Sequence, residues 1–104
     1  MIRVGRAEDV PLLEGRNVTV EGRRVAVFRT AQGFHALDAA CPHRGGPLAD
    51  GLVADSCVTC PLHGWRFELR SGAALGVHPD VAVHEVLERD GELWVRIAAA
   101  VQAA

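Results

Sequence analysis

With 104 residues the chain has room for one hydrophobic core, and its 49% hydrophobic and 23% charged residues are too apolar a mixture for disorder. The formal net charge of -2, with eleven Arg and no Lys among the basic residues, excludes a nucleic-acid binder that works by bulk positive charge. Aromatics at 5% with no Tyr exclude a broad base-stacking platform, and no run of about 18 apolar residues or signal-peptide core is present, so a soluble cytoplasmic protein is expected, with no membrane and no nucleic acid among its partners.

Gly and Pro divide the chain into short apolar pieces rich in Val, Leu, Phe and Trp, which predicts strands and no long helix. Asn17 to Val20 and Arg24 to Arg29 read as a hairpin across Glu21-Gly22-Arg23, and Gln32-Gly33 turns the chain into Phe34 to Leu37. Residues 41 to 67 are different: they hold Cys41, Cys57 and Cys60, two of the five His, and Pro or Gly at seven positions. Such a stretch can build little apolar core of its own, so something else must order it. Within it, Leu52-Val53 and Cys57 to Thr59 read as a small hairpin across Ala54-Asp55-Ser56, and Trp65 to Leu69 as a strand ending at Arg70-Ser71-Gly72. Ala82 to Glu88 and Glu92 to Ile97 flank Arg89-Asp90-Gly91, a strong hairpin signal, with Val83, Val86, Leu93, Val95 and Ile97 expected on its buried face. The tail from Ala98 onward is expected to fray, and there are no internal repeats.

An odd cysteine count crowded into mid-chain suits a metal site better than a disulfide framework. The informative spacing is Cys41-Pro42-His43, sixteen residues, then Cys60-Pro61-Leu62-His63, each pair on a loop that contains Gly. A Cys and a His one or two residues apart can reach one inorganic centre, and the hairpin at 52 to 59 brings the two loops face to face. A structural zinc ion is the rival reading, because Cys57-Val58-Thr59-Cys60 is itself a Cys-x-x-Cys and His63 or Cys41 could complete four ligands. Cys-x-His fits zinc ribbons poorly, and Cys57 otherwise reads as a small buried apolar residue beneath the site. His35, His78 and His84 lie outside the spacing and read as ordinary strand or loop residues.

Cys41-Pro-His43 with Cys60-Pro-Leu-His63-Gly-Trp resembles the cluster-binding signature of Rieske proteins, in which two Cys hold one iron and two His the other. The wider text, Cys-Pro-His-Arg-Gly-Gly-Pro-Leu at 41 to 48 with Phe67, Leu69 and Ser71-Gly72, is similar to the small subunit of assimilatory nitrite reductase and to small Rieske ferredoxins that feed oxygenases. The resemblance implies an all-β fold, an antiparallel sandwich or partly open barrel, as a single Rieske domain over 1–104 with a rubredoxin-like cluster-binding subdomain at about 40–68. It implies a 2Fe-2S cluster with Cys41 and Cys60 on a buried iron, His43 and His63 on an outer one, and residues 76 to 80 as a third wall.

By that ligand set, two thiolates cancel the two positive charges of the oxidised iron-sulfide core, whereas four would overshoot, so the electron is taken more readily. Gly46, Leu62, Trp65 and Phe67 stand where high-potential relatives have a bridging Cys pair and hydroxyl donors, so the potential is expected at the low end of a range of roughly -150 to +300 mV. The implied role is one-electron transfer as a component without a catalytic site of its own. Its partner would be the flavin and sirohaem subunit of an NAD(P)H-dependent nitrite reductase or, alternatively, a flavin reductase and an oxygenase. A zinc-stabilised interaction domain is the reading from another class.

Overall fold

A computed structural model describes residues 1–42 and 45–98. His43, Arg44 and the tail from residue 99 lie outside the described residues. The described residues form nine antiparallel strands: β1 (Ile2–Arg6), β2 (Gly15–Val20), β3 (Arg23–Thr30), β4 (Gly33–Asp38), β5 (Leu52–Ala54), β6 (Cys57–Thr59), β7 (Arg66–Glu68), β8 (Val83–Arg89) and β9 (Glu92–Arg96). Two short 3₁₀ turns, Ala7–Asp9 and Leu48–Asp50, are the helical elements among the described residues, and no helix is long and apolar enough to cross a membrane.

Six strands form one sheet in the order β1-β9-β8-β4-β3-β2, whose end strands approach each other so that it curls into a nearly closed barrel. The other three form a small sheet, β5-β6-β7, that carries the far side of the loop region. The expected all-β architecture is thus what the chain adopts.

The hairpin turns are tighter than the sequence reading placed them. Glu21 and Gly22 have φ of 53° and 80°, and Asp90 and Gly91 have 53° and 77°, so each is a two-residue turn with both central residues left-handed. Arg23 and Arg89 therefore belong to the strands. Arg23 has a carboxylate partner, Asp38, on the neighbouring strand.

Two apolar cores share β3, and this explains its composition. Val25 and Val27 point into the barrel with Val20, Ala36, Leu93 and Val95, while Ala26 and Phe28 point to the small sheet with Leu37, Leu48, Val58 and Phe67. A strand covered on both faces needs a continuous apolar run in place of an alternating one, and Val25 to Phe28 are all fully buried. Each of the Val and Phe side chains contributes about 1.5–3 kcal/mol by leaving water. Of the residues expected on the C-terminal hairpin's buried face, Leu93 and Val95 are buried, Val86 and Ile97 are half-buried against the barrel core, and Val83 packs against the other core.

β1 is a strand that the sequence reading did not contain. It pairs with β9, Ile2 opposite Val95 and Arg6 opposite Glu92, with a register irregularity between Arg3 and Gly5. Ala98, placed in the frayed tail by sequence, is anchored: its backbone N–H donates to His84 Nδ1 at 3.1 Å.

Candidate metal centre

Cys41 and Cys60 begin two loops of the same design. In the first, the Cys41 N–H donates to the Gly46 carbonyl at 2.8 Å and the Gly45 N–H donates back to the Cys41 carbonyl at 3.0 Å. In the second, the Cys60 N–H donates to the Trp65 carbonyl at 2.7 Å and the Gly64 N–H to the Cys60 carbonyl at 3.1 Å. The fourth residue after each cysteine is a glycine at positive φ, 67° for Gly45 and 74° for Gly64, a conformation that side chains resist. The sequence therefore writes one backbone knuckle twice, and the β5–β6 hairpin lies between the copies.

The knuckles face each other closely. A Cβ built on Gly46 would stand 2.7 Å from Cys60 Sγ and 3.1 Å from Leu62 Cδ1, so only glycine leaves the second cysteine its place. Both cysteines are 2% exposed and belong to the core shared by the two sheets, beside Leu48, Val58 and Phe67. His63, by contrast, is exposed. No disulfide joins the three cysteines. Cys57 is half-buried on β6, opposite Ala54 on one side and Glu68 on the other.

The donor chemistry suits a cluster with an inner and an outer end: two buried thiols under an exposed imidazole. Among the described residues no three His, Cys, Asp or Glu side chains converge on one point. A set divided between two irons does not need them to.

The loop at 76 to 80 meets the second knuckle through His78, a residue whose sequence context marks it only as an ordinary loop histidine. His78 stacks on the Trp65 indole with ring centroids 4.3 Å apart and planes 11° from parallel, and meets the Phe67 ring edge-on at 5.0 Å. Trp65 thus lies between the knuckle it closes and the loop 74–80. Phe67 is fully buried, as expected of a core strand residue, and Trp65 is half-buried just before β7.

A second polar element lies at the base of the first knuckle. Asp38, at the end of β4, accepts from Arg23 Nε and Nη2 at 3.0 and 2.9 Å and from His84 Nε2 at 2.7 Å. His84 is buried, and because its Nδ1 accepts from Ala98 its Nε2 carries the proton. Burial alone would raise the Asp38 carboxyl, but hydrogen bonds from Arg23 and His84 outweigh it and hold the group below the usual carboxylate value. The same pair raises Arg23 further. A cleft of about 290 Å³, lined by Asn17, Arg23, Arg24, Asp38, Gly45 and Pro47, opens beside this network.

An all-β pair of sheets carrying two facing Cys knuckles defines a small metal- or cluster-binding domain. The family profile described as the Rieske [2Fe-2S] domain matches residues 1–88, and the chain belongs to that family. Its cofactor is the Rieske-type 2Fe-2S cluster, which accepts and returns one electron when bound. The chain is 51% identical over 55 residues to cholesterol 7-desaturase nvd 1 of Ciona intestinalis, covering 51% of this chain and 12% of that protein. Among solved structures it is similar to the ferredoxin of carbazole 1,9a-dioxygenase from Nocardioides aromaticivorans IC177, with a TM-score of 0.86, 26% identity, and coverage of 93% of this chain and 97% of that one. It is also similar to a protein described as a putative nitrite reductase NADPH small subunit, with a TM-score of 0.84, 25% identity, and coverage of 91% and 96%. The chain spans between 12% and 48% of the length of the first curated relatives it matches.

Proposed function

We propose that this domain is a one-electron carrier whose cluster is held by Cys41 and Cys60 at its inner iron and by His43 and His63 at its outer iron, and that it passes the electron to a larger redox partner. The carrying observation is the pair of matched knuckles with buried cysteines and an exposed His63. Thiolates inside the core keep the inner iron from water, and an imidazole at the surface gives the electron a short exit. The protein's part is to hold the ligands rigidly, so that little reorganises when the charge changes.

Two pairings follow from this reading. Membership of a nitrite reductase, as the partner of a flavin and sirohaem subunit, is supported by the similarity to the nitrite reductase small subunit over nearly the full length of both chains. Delivery from a flavin reductase to an oxygenase is supported by the equally complete similarity to the carbazole dioxygenase ferredoxin. Reductive titration of the purified protein tests the carrier role: uptake of one electron per cluster supports it, and a colourless protein with bound zinc overturns it. Stopped-flow electron transfer to a sirohaem nitrite reductase and to a Rieske oxygenase then separates the pairings, because only the cognate partner is reduced rapidly.

A further inference from the structure

We propose that His78 is a positioning residue that latches loop 74–80 against the second cluster knuckle, controlling access to the cluster from that side. The inference rests on the proposed cluster site but assigns a role to a residue outside the signature. The loop is tied at its base: the Ala74 N–H donates to Asp80 Oδ1 at 2.7 Å, and the Val81 N–H to the Gly72 carbonyl at 2.9 Å. Those bonds fix its ends and leave its tip to be held by something else. Val77 at the tip is fully exposed and holds nothing. His78 is the residue that turns inward, stacked on Trp65 and edge-on to Phe67.

The orientation of the ring is itself fixed. His78 Nδ1 lies 3.0 Å from the Pro79 carbonyl, and since a carbonyl only accepts, Nδ1 donates. The ring also folds back over Gly76, where an added Cβ would meet Cδ2 at 3.2 Å, so the loop has kept that side open for the imidazole. Trp65 is the other half of the latch. Its carbonyl closes the knuckle by accepting from Cys60, so whatever steadies Trp65 steadies Cys60.

The test is the rate at which a strong iron chelator bleaches the visible absorbance of the holoprotein. His78→Ala is expected to bleach roughly two- to tenfold faster, the range an aromatic pair contribution predicts. His78→Phe, which keeps the stack and loses the hydrogen bond, should restore a rate near that of the parent, as should the control Val77→Ala. The denaturant midpoint of each variant separates a latch from a general loss of stability. The latch is overturned if His78→Ala bleaches at the parent rate, if His78→Phe fails to rescue, or if the rates merely follow the midpoints. A parent protein that takes up no iron is a different outcome, since it removes the cluster reading on which the latch depends.

Discussion

Gly46 and Cys60 sit on opposite knuckles, so close that any side chain on Gly46 would press on the cysteine sulfur, with a Cβ only 2.7 Å away. Gly45, its neighbour, has open space where a Cβ would go but a φ of 67°. The two glycines are thus needed for different reasons. Gly46→Ala should lower the iron retained per chain severalfold by displacing Cys60. Gly45→Ala should keep the iron and cost about 1–2 kcal/mol of stability through left-handed strain. Iron analysis beside denaturant titration checks both, and loss of iron in Gly45→Ala alone would reverse the assignment.

The ligand set makes a sharper contrast. Cys41→Ala, His43→Ala, Cys60→Ala and His63→Ala should each abolish or severely destabilise the cluster, because each would remove one of the two protein ligands proposed for an iron. Cys57→Ala should leave the visible spectrum intact, since Cys57 stands on β6 between Ala54 and Glu68, away from the knuckle pattern. A colourless Cys57→Ala protein beside a normally coloured His43→Ala protein would favour a zinc-type set.

Acid should weaken the fold in two stages. Burial foremost, and then the Arg70 charge, lowers the His35 pKa below its ordinary 6.5, so stability present above that value is lost as pH falls toward the folded pKa. Asp38 is also depressed, so its contribution is complete above the ordinary 3.8 and is lost as pH falls through its lower folded value. His35→Phe should flatten the first stage. Asp38→Asn should remove the second and, by replacing the charged acceptor of Arg23 and His84 with a neutral amide, cost about 1–3 kcal/mol at neutral pH. Urea midpoints of holoprotein across pH 3 to 8, a range chosen to span roughly both ordinary values, measure each loss; an unchanged acid limb in His35→Phe would contradict the first.

Leu13 adopts a left-handed φ of 63° while 46% exposed, a costly conformation for a bulky residue with little burial in return. Leu13→Asn should therefore raise stability by about 0.5–1 kcal/mol, visible as a higher denaturant midpoint. A lower midpoint would show that the leucine's remaining contacts outweigh the strain.

The parts of this molecule legible in the sequence are those written locally. Asp90-Gly91 and Glu21-Gly22 announce their hairpins within a few residues, and the Cys/His spacing announces the knuckles. β1 carries no such mark: Arg3 and Gly5 break its pattern, and it becomes a strand because β9, at the far end of the chain, offers it hydrogen bonds. The same holds for His78 and His84. Each looks like an isolated histidine, and only the fold brings Trp65 to one and Asp38 to the other.

The central claim is that two histidine nitrogens and two cysteine sulfurs share one binuclear cluster. Electron-nuclear double resonance on the reduced protein, labelled with nitrogen-15 at histidine, measures it directly. Two distinct imidazole couplings are expected. A reduced iron-sulfur signal without any histidine coupling would contradict the account.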